Sequence, residues 1–257
     1  MSLIKLSETA STNTWLKERC ETLSHGDAVT ALRQTEGRGR IGHTWLGSEG
    51  MLPLSVLLKN VPHPEAVTLC AGIAVCRAIE PFIGAELSIK WPNDIILRRH
   101  KLCGILCESA AKGDSLSIIC GVGVNISQSA EYFRAAGLPY GGSLRSLAGA
   151  EPDRDALAEE LARLIEEYSH KSFADIAEEY RRRCVTIGRE VRLIGREERI
   201  AFAEDIAENG ALVCRDESGR FAALVLSNAA PIILRLTDHS ISCVRIPARM
   251  AGMPRKV

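Results

Sequence analysis

Gly37-Arg38-Gly39-Arg40-Ile41-Gly42 fits the string G-x-G-x-x-G, so its reading decides between a doubly wound dinucleotide fold and something else. A dinucleotide turn opens straight into a helix and needs an acidic residue ~20 positions later for the ribose. Here His43-Thr44-Trp45-Leu46-Gly47-Ser48-Glu49-Gly50 follows, with two more glycines and no helical period, and nothing acidic stands between Met51 and His63. The dinucleotide fold is therefore set aside. What remains is the loop's own chemistry. Glycines let the backbone come close to a ligand, and successive N–H groups turned inward form an anion-binding concavity. Arg38 and Arg40 add permanent charge and a fork that matches phosphate or carboxylate oxygens. The loop suits an anionic ligand, a nucleotide phosphate above all.

Outward from the loop, Ala28 to Gln34 is strand-like and leads into it, and Ser11-Thr12-Asn13 reads as the start of a helix to about Leu23. Leu52 to Leu58 is a second strand, and the nearly unbroken apolar run over 64–79 predicts a buried helix. Four strand-like runs follow: Leu87 to Trp91, Asp94 to Arg98, Leu102 to Ser109 and Leu116 to Ile126. A helix is expected from about Asp153 to His170, and Ser172-x-x-Asp175 resembles a capping box opening another to about Arg183. After Cys184 short strands at close spacing, punctuated by Glu208-Asn209-Gly210 and Glu217-Ser218-Gly219, predict a small β-barrel. The expected division is 1–185, 186–236 and a loosely ordered tail 237–257, with the boundary near Thr186.

With 257 residues and 46% apolar content, the chain can bury a substantial core. Its formal net charge is zero, where a DNA-binding protein would carry a basic excess, so DNA is disfavoured as a partner. Arg181-Arg182-Arg183 is read as a helix C-terminus complementing its dipole. The nine cysteines lack C-x-x-C or zinc-like spacing, and Cys103 and Cys107 share one strand face, which favours core thiols. Reduced thiols fit a cytoplasmic address. The opening residues are no signal peptide, and no apolar run reaches ~18 residues, so no membrane role is expected.

Two further segments carry chemistry. In Lys90-Trp91-Pro92-Asn93-Asp94, Pro92 cannot donate to a ladder and Asn93 and Asp94 suit a tight turn. With Lys101-Leu102-Cys103-Gly104-Ile105-Leu106 following, a hairpin would bring Lys90 and Lys101 toward one end of a sheet, where an anion is their natural partner. Gly121-Val122-Gly123-Val124-Asn125 ends a strong strand. Glycines there mark close approach by a neighbouring helix or by a ligand ring.

In this order, Ser11-Thr12-Asn13, Gln34 through Gly42, Trp45, the Lys90–Asp94 segment, the Lys101–Leu106 segment and Gly121–Asn125 resemble the catalytic core of the biotin protein ligases, over roughly residues 1–235. The resemblance implies an α+β fold: a mixed β-sheet flanked by helices, like the class II aminoacyl-tRNA synthetase core, with a small C-terminal SH3-like β-barrel. It implies an ATP-dependent ligase that forms biotinyl-5′-AMP and passes biotin to a lysine of a biotin carboxyl carrier protein. ATP with Mg²⁺ is the expected co-substrate, no tightly bound metal is expected, and the protein would be a monomer or weak homodimer. Two rivals stand beside it: a lipoate-protein ligase, and a non-catalytic biotin or nucleotide sensor. Three departures matter. No winged helix precedes Ser11, so a repressor role is not expected; His43 stands where a basic Arg or Lys is usual; and Ser227 to Arg235 replaces the usual last strand.

The resemblance also implies roles. Two anions must meet, so positioning and electrostatics carry the catalysis. Lys101 would bridge the biotin carboxylate and the α-phosphate, Arg38 and Arg40 would close over both, and Lys90 would assist. Ser11, Thr12, Asn13, Gln34, Gly37, Arg38, Gly39, Lys101, Gly104, Leu106 and Gly123 are the expected biotin-binding residues. Arg38, Arg40, Trp45, Asn93, Asp94, Lys101 and Asn125 are those expected for ATP, with Asp94 also facing its Mg²⁺.

Overall fold

The structure, a computed structural model, describes residues 1–40, 44–47, 49–112, 115–194, 198–219, 221–224 and 233–236. The expectations for Gly42, His43, residues 227–232 and the tail 237–257 lie outside the described residues. The chain opens with a parallel unit: β1 (Leu3–Thr9), α1 (Thr12–Arg19) and β2 (Ala28–Gln34), with Leu3 opposite Ala28 and Thr9 opposite Gln34. β3 (Met51–Lys59) runs antiparallel to β2, and α2 (Val67–Ile83) then crosses the sheet. β4 (Ser88–Lys90), β5 (Asp94–Leu97), β6 (His100–Lys112) and β7 (Ser115–Asn125) complete a seven-stranded sheet of order β1-β2-β3-β7-β6-β5-β4. This is a mixed sheet whose one parallel strand pair is β1 with β2, and among the described residues no helix lies between β2 and β3. α3 (Ala130–Ala135) and α4 (Leu144–Ala148) are short; α5 (Arg154–Tyr168) and α6 (Ala177–Arg183) follow.

The two faces of the sheet differ in what they bury. Leu52, Leu54, Val56 and Leu58 of β3, with Ile118, Cys120, Val122 and Val124 of β7, join the apolar faces of α2 and α5 in one core. The alternate residues Leu57 and Ile119 pack with Leu16 of α1 in a smaller cluster. Toward the other end of the same face the side chains shrink to Ser55, Gly121 and Gly123, and a cavity opens.

α2 runs past the expected Ile79 and takes in Pro81 before Gly84 ends it in the left-handed region at φ 58°. Pro81 costs only one backbone bond in the last turn, where buried Ile79 and partly buried Ile83 still pack on the core. The Ser172–Asp175 bonds form as expected, but they close a turn ahead of α6.

The second sheet is β8 (Arg189–Ile194), β9 (Glu198–Ile206), β10 (Leu212–Asp216), β11 (Phe221–Leu224) and β12 (Ile233–Leu236), five strands in the order β11-β10-β9-β8-β12, all antiparallel. Its Val191, Ala203, Ile206 and Leu212 belong to the same core as α2. Thr186, at the expected boundary, is fully buried and accepts a hydrogen bond from Trp91 N at 3.0 Å. The indole of Trp91 donates to Gly210 O at 3.1 Å. The three arginines at the end of α6 are ties between parts: Arg181 to Asp205 at 2.7 Å, Arg182 to Glu86, and buried Arg183 to Glu80 of α2. Where the chain passes from one sheet to the other it is therefore packed and bonded on both sides.

Candidate functional site

The cavity of about 240 Å³ opens where α1, the Gly37 loop, the β4–β5 turn and the ends of β6 and β7 meet. Ser11, Thr12, Asn13, Gln34, Arg38, Gly39, Arg40, Trp45, Lys90, Asn93, Asp94, Lys101, Gly104, Leu106, Gly123 and Asn125 all line it. Segments from Ser11 to Gly141 thus converge.

One end is neutral and polar. The side chain of Ser11 makes no cap bond to α1. The helix starts within Ser11-Thr12-Asn13 as expected, and its first N–H, that of Thr12, is taken by Gln34 Oε1 from β2 at 2.8 Å. The Ser55 hydroxyl has one proton and lies 2.6 Å from Asn13 Oδ1 and 2.8 Å from Thr12 Oγ1. Donated to Asn13, it leaves the Thr12 hydroxyl to donate to Gln34 Oε1 at 3.0 Å. Asn13 Nδ2 then donates to Leu106 O at 3.1 Å and Glu108 Oε2 at 2.8 Å. A Cβ on Gly121 would meet Asn13 Oδ1 at 2.1 Å, so that glycine makes room for a side chain of the same protein.

The floor is smooth. Gly104 and Gly123 face each other across β6 and β7, and a Cβ on either would meet the indole of Trp45, at 2.8 and 2.6 Å. Trp45, expected beside ATP, therefore lies on the glycine floor expected for biotin. A flat ring fits there because two glycines leave a bare backbone surface. Among the described residues, the buried indole N–H of Trp45 meets no acceptor, an orphan that a polar ligand atom would satisfy. Gly37, expected to touch biotin, is not in the lining. It accepts a hydrogen bond from Trp45 N at 2.9 Å, and a Cβ there would meet Trp45 O at 2.3 Å. Its part is to let the two limbs of the loop cross, and the bridge between Arg38 and Thr44 continues that pairing.

The other end is cationic. Lys90 sits opposite Asp94 across the β4–β5 hairpin, and Lys101 Nζ reaches Asp94 Oδ1 at 2.6 Å. The anion that two lysines call for is thus supplied in part by the protein itself. Lys101 Nζ also stands 5.3 Å from the Trp45 ring centroid. Burial disfavours the Arg40 cation and lowers its pKa, with Asp94 opposing. Arg38 is exposed and bonds to Glu108 at 3.1 Å and Thr14 at 3.0 Å, so it bears on the rim. Asn93 donates to Ile105 O at 2.8 Å and Asn125 to Gly142 O at 3.0 Å; both line the cavity while holding its backbone in shape.

Mg²⁺ can be tested against this donor set. A Mg²⁺ site needs several oxygens at octahedral spacing. Among the described residues the lining has one carboxylate, Asp94, already bound to Lys101, opposite Lys90 and acting on the Arg40 cation. These residues do not fit a resident Mg²⁺. No cysteine is among the described residues that line the cavity, and burial pushes the remote thiols Cys70 and Cys214 up to about 12 and about 11.

The sequence reading misses one wall. Tyr132 and Phe133 from α3, with Leu138 and Tyr140, form an aromatic shelf beside Asn125 and Lys101. It misses Ser55 and Glu108 too, which hold Asn13 in place. A lone serine in the fully buried strand Met-Leu-Pro-Leu-Ser-Val-Leu-Leu was the available signal for Ser55.

Comparison with known proteins follows the same lines. The profile of the biotin/lipoate A/B protein ligase family matches residues 5–125. A biotin–[acetyl-CoA-carboxylase] ligase of Mycobacterium tuberculosis is 35% identical over 84% of this chain and 83% of its own length. One from Paracoccus denitrificans is 30% identical over 84% of this chain and 95% of its own. The solved structure of the Aquifex aeolicus biotin protein ligase in complex with biotin and ATP is similar at a TM-score of 0.76 and 28% identity, covering 92% of this chain and 99% of that one.

Proposed function

The chain belongs to the biotin/lipoate A/B protein ligase family, and from that premise we infer that it is a biotin–[acetyl-CoA-carboxylase] ligase. A biotin carboxylate oxygen attacks the α-phosphorus of ATP, pyrophosphate leaves, and biotinyl-5′-AMP forms. A carrier-protein lysine then attacks the anhydride carbonyl; an amide forms, the amine gives up a proton and AMP leaves. The observation that supports this reading is one cavity with a neutral polar end, a glycine floor and a cationic end.

Each part answers a need of the reaction. Ser11, Thr12, Asn13 and Gln34 offer donors and acceptors for the neutral ureido ring, and Gly104 and Gly123, by seating the Trp45 indole close to the sheet, leave biotin a flat wall beside Leu106. Lys101 shares its charge between the biotin carboxylate and the α-phosphate, lowering the repulsion that opposes their approach. Asp94 fixes the direction of that ammonium. Arg40, Arg38 and the Gly39 backbone serve the phosphates, with Lys90 adding charge behind them. Trp45 covers the reacting groups, which protects an anhydride from water. Asn93 and Asn125 shape the ATP side. Mg²⁺ enters as part of the nucleotide. The chemistry is assigned to residues 1–185, with the 186–236 sheet a support for the Trp91 corner, and the address to the cytoplasm.

The test is exchange of labelled pyrophosphate into ATP in the presence of biotin or lipoate, followed by transfer to a carrier domain. Exchange with biotin and then transfer is expected. Exchange driven by lipoate alone would overturn the substrate, and exchange without transfer would leave a sensor.

A further inference from the structure

Three metal-ligating groups outside the cavity meet where the turn before β2 touches the C-terminal end of α5. His25 Nε2 is 3.2 Å from Glu166 Oε1, and His170 Nε2 is 3.4 Å from the same oxygen. The ligand atoms all lie within 4.8 Å of one another, and the two imidazole rings are 5.2 Å apart. An ion held tetrahedrally at about 2.0–2.1 Å keeps adjacent ligand atoms roughly 3.3 Å apart. Two of the three edges have that length already. The third closes by turning His170, whose side chain is 55% exposed against 27% for His25.

His25 is held in a way that suits a ligand. Its Nδ1 lies 3.1 Å from Lys59 O and 3.0 Å from Lys59 N. When Nδ1 is unprotonated it accepts from Lys59 N and Nε2–H donates to Glu166; with the proton on Nδ1, the ring donates to the Lys59 carbonyl, the outer bond that orients metal-bound imidazoles. The Nε2 lone pair then points at the Glu166 carboxylate. A proton on Nε2 or a metal ion can bridge that 3.2 Å gap, and a metal ion would also take His170 Nε2, 3.4 Å from the same oxygen. The end of α5 adds the negative end of a helix dipole.

We propose that His25, Glu166 and His170 form a three-ligand site for a divalent transition metal of the Zn²⁺ class, with water in the exposed fourth position. Two imidazoles and one carboxylate suit that class better than Mg²⁺ or Ca²⁺. The bound ion fastens the loop that delivers β2, and with it Gln34, to α5. The proposal does not depend on the ligase reading.

Equilibrium dialysis of the full chain against Zn²⁺ tests it, with thermal unfolding as a second readout. One ion per chain and a higher melting temperature with Zn²⁺ are expected. His170→Ala, an exposed change that the fold tolerates, should weaken binding more than about tenfold, the loss that even an outer partner of a metal site causes. Glu166→Gln and His25→Ala should do the same, and ligase activity in His170→Ala should be unchanged. No saturable binding by the wild type would overturn the proposal. So would equal affinity in wild type and His170→Ala, which would put the ion on other groups such as thiols.

Discussion

The same two strands, β3 and β7, build both faces of the large sheet, and the faces carry opposite kinds of residue. Toward α2 and α5 they present Leu54, Val56, Cys120 and Val124, all fully buried. Toward the cavity they present Pro53, Ser55, Gly121, Gly123 and Asn125. Period-two alternation sorts the side chains in each case. On one face it fills space; on the other it empties it. The lesson is that a strand can be read twice, and that its small residues mark where something else must fit.

The largest effect should come from the cavity face. Lys101→Ala removes the shared ammonium and should cut biotinyl-adenylate formation by about a hundredfold or more while the circular dichroism spectrum stays native. Pyrophosphate exchange at saturating biotin is the assay, and wild-type exchange would remove Lys101 from its role. On the opposite face, Leu54→Ala should destabilise the fold by about 3 kcal/mol, through lost burial and a cavity, with KM for biotin unchanged. Urea unfolding alongside initial rates separates the two. If KM rose as well, the faces would not be independent.

Gly123→Ala sharpens the contrast. Its Cβ would lie 2.6 Å from the indole of Trp45, so the ring must shift. The expected outcome is a rise of roughly tenfold in KM for biotin, equivalent to about 1.4 kcal/mol, with little change in stability. Intrinsic tryptophan fluorescence and KM should move together. The smallest effect lies in the turn that leads into β2, on neither face. Burial works to raise the pKa of Asp27, but hydrogen bonds from Ser24 N, Ser2 N and Ser2 Oγ outweigh it and hold the carboxyl below the ordinary value. A lowered folded pKa stabilises the fold above the unfolded value, and that stability is lost as pH falls through the folded one. Asp27→Asn should therefore cost about 1 kcal/mol at neutral pH, with the gap from wild type narrowing below about pH 4. A gap constant with pH would remove the charge from the account.

How much could be read beforehand followed from range. Ala28–Gln34 is strand as expected, and β3, β6 and β7 differ from expectation only at their ends, because each is long enough to show its pattern. β1 carries a partly exposed pattern at an edge, and α3 and α4 have six and five residues, too few for a helical period. That is why the Tyr132–Phe133 shelf was missed. The polar motifs pointed to one site because each breaks the local rule for its element: a proline between strands, glycines in a strand, arginines among glycines. Which partner filled each break was not local. Gly121 makes room for Asn13, Gly123 for Trp45, and Asp94 engages Lys101.

The central claim is that Lys101 and the Arg38–Arg40 loop hold two repelling anions together over the glycine floor. A crystal structure with biotin and a non-hydrolysable ATP analogue tests it most directly. The account predicts Lys101 Nζ within hydrogen-bond distance of both the biotin carboxylate and an α-phosphate oxygen, with residues 37–40 against the ligands. Lys101 still bound only to Asp94, with that loop clear of both ligands, would contradict it.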